Sequence, residues 1–209
     1  MTRIYAIAAA TAIAVLLAAL WVLTLGRGGD DRYAACRETA IAGGSDQIGG
    51  PFTLVDETGK TVTDKDVLDQ PALIYFGYTY CPDVCPMDTA RNAEAVTILE
   101  ERGYRIKPVF ISIDPDRDTP EQLAEFTDYL HPRMVGLTGT PEQVKAASEA
   151  YRTYYRKQKP DAGDAEYYLV DHSTFTYLTL PESGFVEYFR RDVEPEQMAD
   201  RVQCFMDVQ

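Results

Sequence analysis

Residues 71–88 read PALIYFGYTYCPDVCPMD. The first half is a continuous apolar run with a β-branched and aromatic bias, the pattern of a central strand covered on both faces. The second half sets Cys81 and Cys85 four positions apart at that strand's carboxyl end. Beyond them Met87, Ala90, Ala93, Val96 and Leu99 recur at near-helical spacing, and Gly103 can close that helix in the left-handed conformation. A second buried strand, IKPVFISID at 106–114, comes next.

The same grammar extends outward. FTLVDETGKTVT at 52–63 reads as two short strands around an Asp-Glu-Thr-Gly turn. Three later helices open on TPEQ at Thr119, TPEQ at Thr140 and EPEQ at Glu194; in the first two, Thr is the N-cap, Pro the first helical residue and Gln the third residue of a capping box. This is shared punctuation and not an internal repeat. The short segment RMVGLTG falls between the first two, and from residue 166 come three strand candidates, EYYLVDH, TFTYLTL and FVEYF. Strands alternating with helices predict an α/β sandwich with helices on both faces. The cysteine loop then sits at the carboxyl end of a central strand, where open α/β sheets place their sites.

From Ile4 to Leu25 the chain carries no charge and is long enough, as a helix, to cross a bilayer core of roughly 30 Å. A cleaved signal peptide is the competing reading, but its apolar region is usually shorter and ends in small residues, whereas this one ends in Trp21, Leu23 and Leu25. The sequence therefore divides into an N-terminal membrane anchor at 1–25, a Gly-rich flexible tether at 26–47 and a folded domain at 48–209. Arg3 precedes the span while Arg27, Arg32 and Arg37 follow it, so charge alone does not orient it. Four cysteines in a small domain suit an oxidising compartment. A net charge of −13 would repel phosphate backbones, which argues against a nucleic-acid partner.

Two sulfurs at this spacing can share one ligand, and the start of the following helix favours thiolate over thiol. Thiolates are soft donors suited to Cu(I) and Zn, and the same thiolates are nucleophiles in disulfide exchange. The pair alone leaves metal binding, disulfide exchange and a structural disulfide open. Of the two histidines, His131 in YLHPRM falls at a helix C-terminus before a proline and reads as structural. His172, in LVDHSTFTYL, lies at a junction between strands in an otherwise apolar or small stretch, where taken alone it reads as a hydrogen-bonded core histidine as readily as a third ligand.

YFGYTYCPDVCPMD, FISIDPDRDTP and YLVDHSTFTYL, in this order behind an N-terminal anchor, closely resemble the Sco/SenC family of thioredoxin-like copper proteins. The resemblance covers roughly residues 48 to 206. It implies a thioredoxin-like sandwich, a central mixed sheet with flanking helices, in a single-pass inner-membrane protein whose domain lies on the periplasmic side. It implies copper, as Cu(I) or Cu(II), held by Cys81, Cys85 and His172, and a metallochaperone serving the CuA-bearing subunit of cytochrome c oxidase. Other periplasmic copper or thiol-redox proteins are further candidate partners. Two thiolates and an imidazole suit three-coordinate Cu(I), whereas zinc more often recruits a fourth ligand. Asp171 and Asp83 are candidates for orienting the ligands.

Cys36 and Cys204 stand outside that family pattern. With Cys81 and Cys85 assigned by the resemblance, the simplest of the three connectivities is a Cys36–Cys204 disulfide fastening the tether to the last helix. Tyr151, Tyr154 and Tyr155 have helical spacing and are expected to form a packing stripe; Tyr75, Tyr78 and Tyr80 flank the site strand and are expected in the core. Two other functions remain: an enzyme exchanging disulfides through Cys81 or Cys85, and a copper or redox sensor. Against the first, the spacing is C-x-x-x-C and not the redox C-x-x-C.

Overall fold

A computed structural model of the chain describes residues 2–25, 31–38, 44, 47–159 and 168–208. It separates into two compact units, Met1–Ala35 and Cys36–Gln209. The first contains helix α1, Thr2–Leu25, whose 19-residue stretch Ile4–Val22 is long and apolar enough to cross a membrane. At 1.5 Å per residue that stretch spans about 28 Å, close to the thickness of a hydrocarbon core. The tether expected at 26–47 falls mostly outside the described residues.

In chain order the second unit comprises β1 (Thr53–Asp56), β2 (Thr61–Thr63), α2 (Asp64–Val67), β3 (Ala72–Gly77), α3 (Val84–Glu101), β4 (Lys107–Ser112), α4 (Pro120–Leu130), β5 (Val135–Thr138), α5 (Pro141–Ala150), β6 (Tyr155–Lys157), β7 (Val170–His172), β8 (Thr176–Leu180), β9 (Gly184–Phe189) and α6 (Pro195–Asp207). Seven strands form one sheet in the order β2-β1-β5-β4-β3-β8-β9, while β6 and β7 pair separately. Strands β3, β4 and β5 run parallel, as helical crossovers require, while β8 lies antiparallel to β3, β9 antiparallel to β8 and β1 antiparallel to β5. The sheet is therefore mixed.

All six residues of β3 are buried, which explains why the sequence shows no alternation there. Successive side chains still point to opposite faces. Tyr75 reaches toward α3, donating its hydroxyl to Asp88 at 3.1 Å, whereas Phe76 packs against Tyr151 at the end of α5, ring centroids 5.5 Å apart. Helices thus cover both faces, with α3 packed against α6. Burying Phe76, Phe110, Leu54 and Ile111 in this core contributes on the order of 1.5–3 kcal/mol each.

The punctuation reads as expected at two helices. Thr119 accepts from the Gln122 amide and Thr140 from the Gln143 amide, each at 3.3 Å, with proline in the first turn. Glu194 precedes α6 without a side-chain cap bond. The tyrosine stripe expected at 151–155 does not form: α5 ends at Ala150, and Arg152 turns the chain with φ at +51°. Tyr151 is buried, Tyr154 is exposed and Tyr155 enters β6. Helix α2 and strand β6, too short to leave a periodic signal, were not anticipated.

Cys36 and Cys204 are joined, as the sequence suggested. The segment after Cys36 is held down as well: Arg37 Nε donates to the Val186 carbonyl at 3.0 Å and the Glu38 amide to Glu187 at 3.3 Å.

Candidate metal centre

The chain leaves β3 at Gly77, turns through Tyr78–Tyr80 and enters α3 at Val84, with Asp83 at the N-cap. Cys81 and Cys85 therefore straddle the helix start. The Cys85 amide points at the Cys81 sulfur, 3.4 Å away, so a backbone donor and the helix dipole both favour negative charge on that sulfur. His172 arrives from the end of β7, 87 positions further along the chain than Cys85, and its Nε2 lies 3.2 Å from Cys85 Sγ. The three ligand atoms all lie within 4.8 Å of one another.

The imidazole is oriented by the backbone. Its Nδ1 is 2.8 Å from the Ser173 carbonyl, which can only accept, so Nδ1 donates there and Nε2 is the nitrogen left facing the sulfurs, where its lone pair is free to bind a metal whenever it carries no proton. The rings of Tyr75 and Tyr78 meet the imidazole edge-on, at centroid distances of 6.2 and 5.9 Å. Both tyrosines are buried, as expected of core residues, whereas Tyr80 is 49% exposed and is not one.

Electrostatics differentiate the two thiols. The hydrogen bond from Cys85 holds Cys81 far below the ordinary thiol range, at about 3, helped by His172 and by backbone amides and opposed by burial. Cys85, fully buried and giving its proton toward Cys81, is pushed up. Without metal the pair thus behaves as one thiolate and one thiol sharing a proton. Both cysteines are unpaired. Burial likewise raises the neighbouring hydroxyls, Tyr78 to about 12 and Tyr75 further.

Two sulfurs and one imidazole nitrogen, with no fourth Cys, His, Asp or Glu in the cluster among the described residues, fit a soft metal of low coordination number better than zinc. A groove of about 430 Å³, lined by Cys81, Asp83, Asp171 and His172 among others, opens onto the cluster. Cys81 and half-buried His172 line it, while Cys85 is fully buried and is not part of its lining.

Asp171 is not brought to the imidazole. Adjacent strand residues project to opposite faces, and its carboxylate accepts from Gln158 Nε2 at 2.6 Å and faces Arg156 on β6 at 3.5 Å. Asp83 is an exposed N-cap whose side chain makes no cap bond. His131 is buried at the end of α4, where its Nδ1 accepts from the Arg133 amide at 3.2 Å, and burial lowers its pKa.

Two participants were missed in the sequence. The Ser173 carbonyl leaves no side-chain signal. Gly77 did leave one, a glycine ending an apolar strand: a Cβ there would lie 2.8 Å from Tyr75 Cε1, 3.0 Å from Phe110 Cε2 and 3.1 Å from Cys85 Sγ.

Fold and site together define a thioredoxin-like α/β domain carrying a three-donor, sulfur-rich cluster at the carboxyl end of its central parallel strand. Residues 41–207 match the SCO1/SenC family model, and the chain belongs to that family. The protein SenC of Rhodobacter capsulatus is 55% identical over 202 residues, covering 97% of this chain and 90% of that one. Arabidopsis thaliana ScoI, solved with copper bound, superposes with a TM-score of 0.71 at 40% identity, covering 77% of this chain and 99% of that one. Yeast Sco1 with copper bound gives a TM-score of 0.71 at 37% identity, covering 77% and 89%.

Proposed function

We propose that this protein is a membrane-anchored copper donor that delivers copper to the CuA centre of cytochrome c oxidase during assembly. Its anchor lies in the inner membrane and its domain on the periplasmic side. Family membership and the copper held by its Arabidopsis and yeast relatives support the reading. The observation that carries it is the approach of His172 Nε2 to within 3.2 Å of Cys85 Sγ, with Cys81 completing the cluster.

Cys81, Cys85 and His172 bind copper, and the groove leaves one side of the metal open. An acceptor thiolate enters there before a donor sulfur leaves, so copper passes by ligand exchange and is never free. One proton is taken up by the donor: an acceptor thiol loses its proton on binding copper and Cys85, whose thiol is strongly favoured in the metal-free state, regains one, while the proton of any second acceptor thiol passes to solvent.

Full-length chain in detergent, purified anaerobically, is expected to carry copper and to show sulfur-to-Cu(II) charge-transfer bands on adding Cu(II). His172→Ala is expected to bind Cu(I) more weakly, and unchanged affinity would refute the ligand set. The Cys81 thiolate beside an unpaired Cys85 favours one second reading, reduction of an acceptor's cysteines by thiol-disulfide exchange. The same variant separates the two, since a reductase keeps exchanging disulfides without His172.

A further inference from the structure

The block FISIDPDRDTP, residues 110–120, supplies no ligand, yet it touches both halves of the site. The histidine arm needs such support. Among the described residues His172 lies on β7, which pairs with β6 in a two-stranded sheet separate from the seven-stranded sheet whose strand β3 leads to the cysteines. Each strand is three residues long, and an isolated two-stranded ribbon is marginal in water. Besides the contact of His172 with Cys85, the Val170 amide ties the arm to the cysteine loop by donating to the Tyr78 hydroxyl at 3.2 Å.

Val170 is buried in the main core with Tyr155 packed against it, and a further set of ties runs to the loop between β4 and α4. Asp114, its side chain fully enclosed, accepts from the Tyr168 hydroxyl at 2.6 Å and from Arg117 Nε at 2.5 Å, and Lys157 Nζ lies 3.3 Å away. Tyr168 is two residues before β7, and Lys157 ends β6 and also pairs with Asp116. The Arg117 guanidinium carbon sits 3.7 Å from the Tyr168 ring centroid and 4.8 Å from that of Tyr80, immediately before Cys81. Its Nη2 is buried without a hydrogen-bond partner, so the aromatic faces are what that end of the group meets. One residue on, Asp118 grips the cysteine loop, accepting from the Thr79 amide at 3.1 Å and the Thr79 hydroxyl at 2.6 Å.

We propose that Arg117 is a positioning residue for the metal centre. Fixed by Asp114 and bridging Tyr168 of the histidine arm to Tyr80 of the cysteine loop, it sets the distance at which His172 meets Cys81 and Cys85. A planar guanidinium is required, because it lies against aromatic faces while bonding a carboxylate in its own plane, which a lysine ammonium cannot reproduce.

The placement is tested first without metal, on full-length chain in detergent with labelled histidine and tyrosine. Wild type is expected to show nuclear Overhauser contacts between the His172 and Tyr78 rings. Arg117→Ala should lose them while the His131 resonances stay in place, and Arg117→Lys should not restore them. Retained contacts in folded Arg117→Ala overturn the proposal. Should that variant not fold, Tyr168→Leu removes the opposite platform, and retained contacts there overturn it equally.

A second arm rests on the copper reading. Arg117→Ala should weaken Cu(I) binding by roughly 10- to 100-fold, the usual range for residues that orient ligands, and the loss should vanish in a His172→Ala background. Losses that add in the double variant overturn the proposal. Copper binding by wild type no tighter than by His172→Ala counts against the copper reading alone, and the metal-free contacts still decide the role of Arg117.

Discussion

Replacing Cys36 and Cys204 together by serine removes the cross-link without leaving an odd thiol. The two residues are 168 positions apart. In the chain-entropy picture, closing a loop of that length removes about 17 cal/mol/K from the denatured chain, or about 5 kcal/mol at 25 °C. The neighbouring bonds from Arg37 to the Val186 carbonyl and from the Glu38 amide to Glu187 survive the change, so the native end of the segment stays seated and the loss falls on the denatured side. With an unfolding entropy of about 2.1 cal/mol/K per residue over Cys36–Gln209, the midpoint should drop by about 14 °C. The assay is thermal melting followed by tyrosine near-ultraviolet circular dichroism, with full-length chain in detergent. Strong reductant should lower the wild-type midpoint similarly and leave the double variant unmoved. Copper affinity should not change, because neither cysteine belongs to the metal cluster. A drop smaller than about 4 °C would refute loop closure as the source of stability.

Gly77→Ala should cost about 1–3 kcal/mol by overpacking, and because the new methyl presses on Cys85 Sγ at 3.1 Å it should also shift the sulfur-to-Cu(II) bands. A wild-type melt with a wild-type spectrum would show that the strand end gives way freely. The Cys81 acid is depressed to about 3, so its charge survives acidification: the ultraviolet thiolate absorbance of the reduced, metal-free chain should persist down to about pH 5. Absorbance that disappears on titrating below the ordinary thiol value of 9.0 would contradict the shared-proton arrangement.

Much of the architecture is legible along the chain because it is local. The unbroken apolar run at 72–77, the near-helical spacing from Met87 to Leu99 and the Thr-Pro-Glu-Gln starts each report a backbone period or an end condition within a few residues. The tyrosines at 151–155 misled because spacing does not register a helix end set by a left-handed residue, here Arg152. Asp171 lines the same groove as His172, yet its carboxylate bonds Gln158 and faces Arg156 and makes no bond to the imidazole, a choice of partner that the sequence does not record.

The sequence by itself determined which donors the protein owns, where the strand that presents two of them ends, and that an apolar helix precedes the domain. Only the tertiary structure decided that a ring on a separate short strand pair meets those sulfurs, and that Asp114, Arg117 and Tyr168 contact one another beside it. Periodicity encodes which face of an element is buried, but a meeting between residues 87 positions apart depends on how whole elements pack, and no short window of sequence carries that.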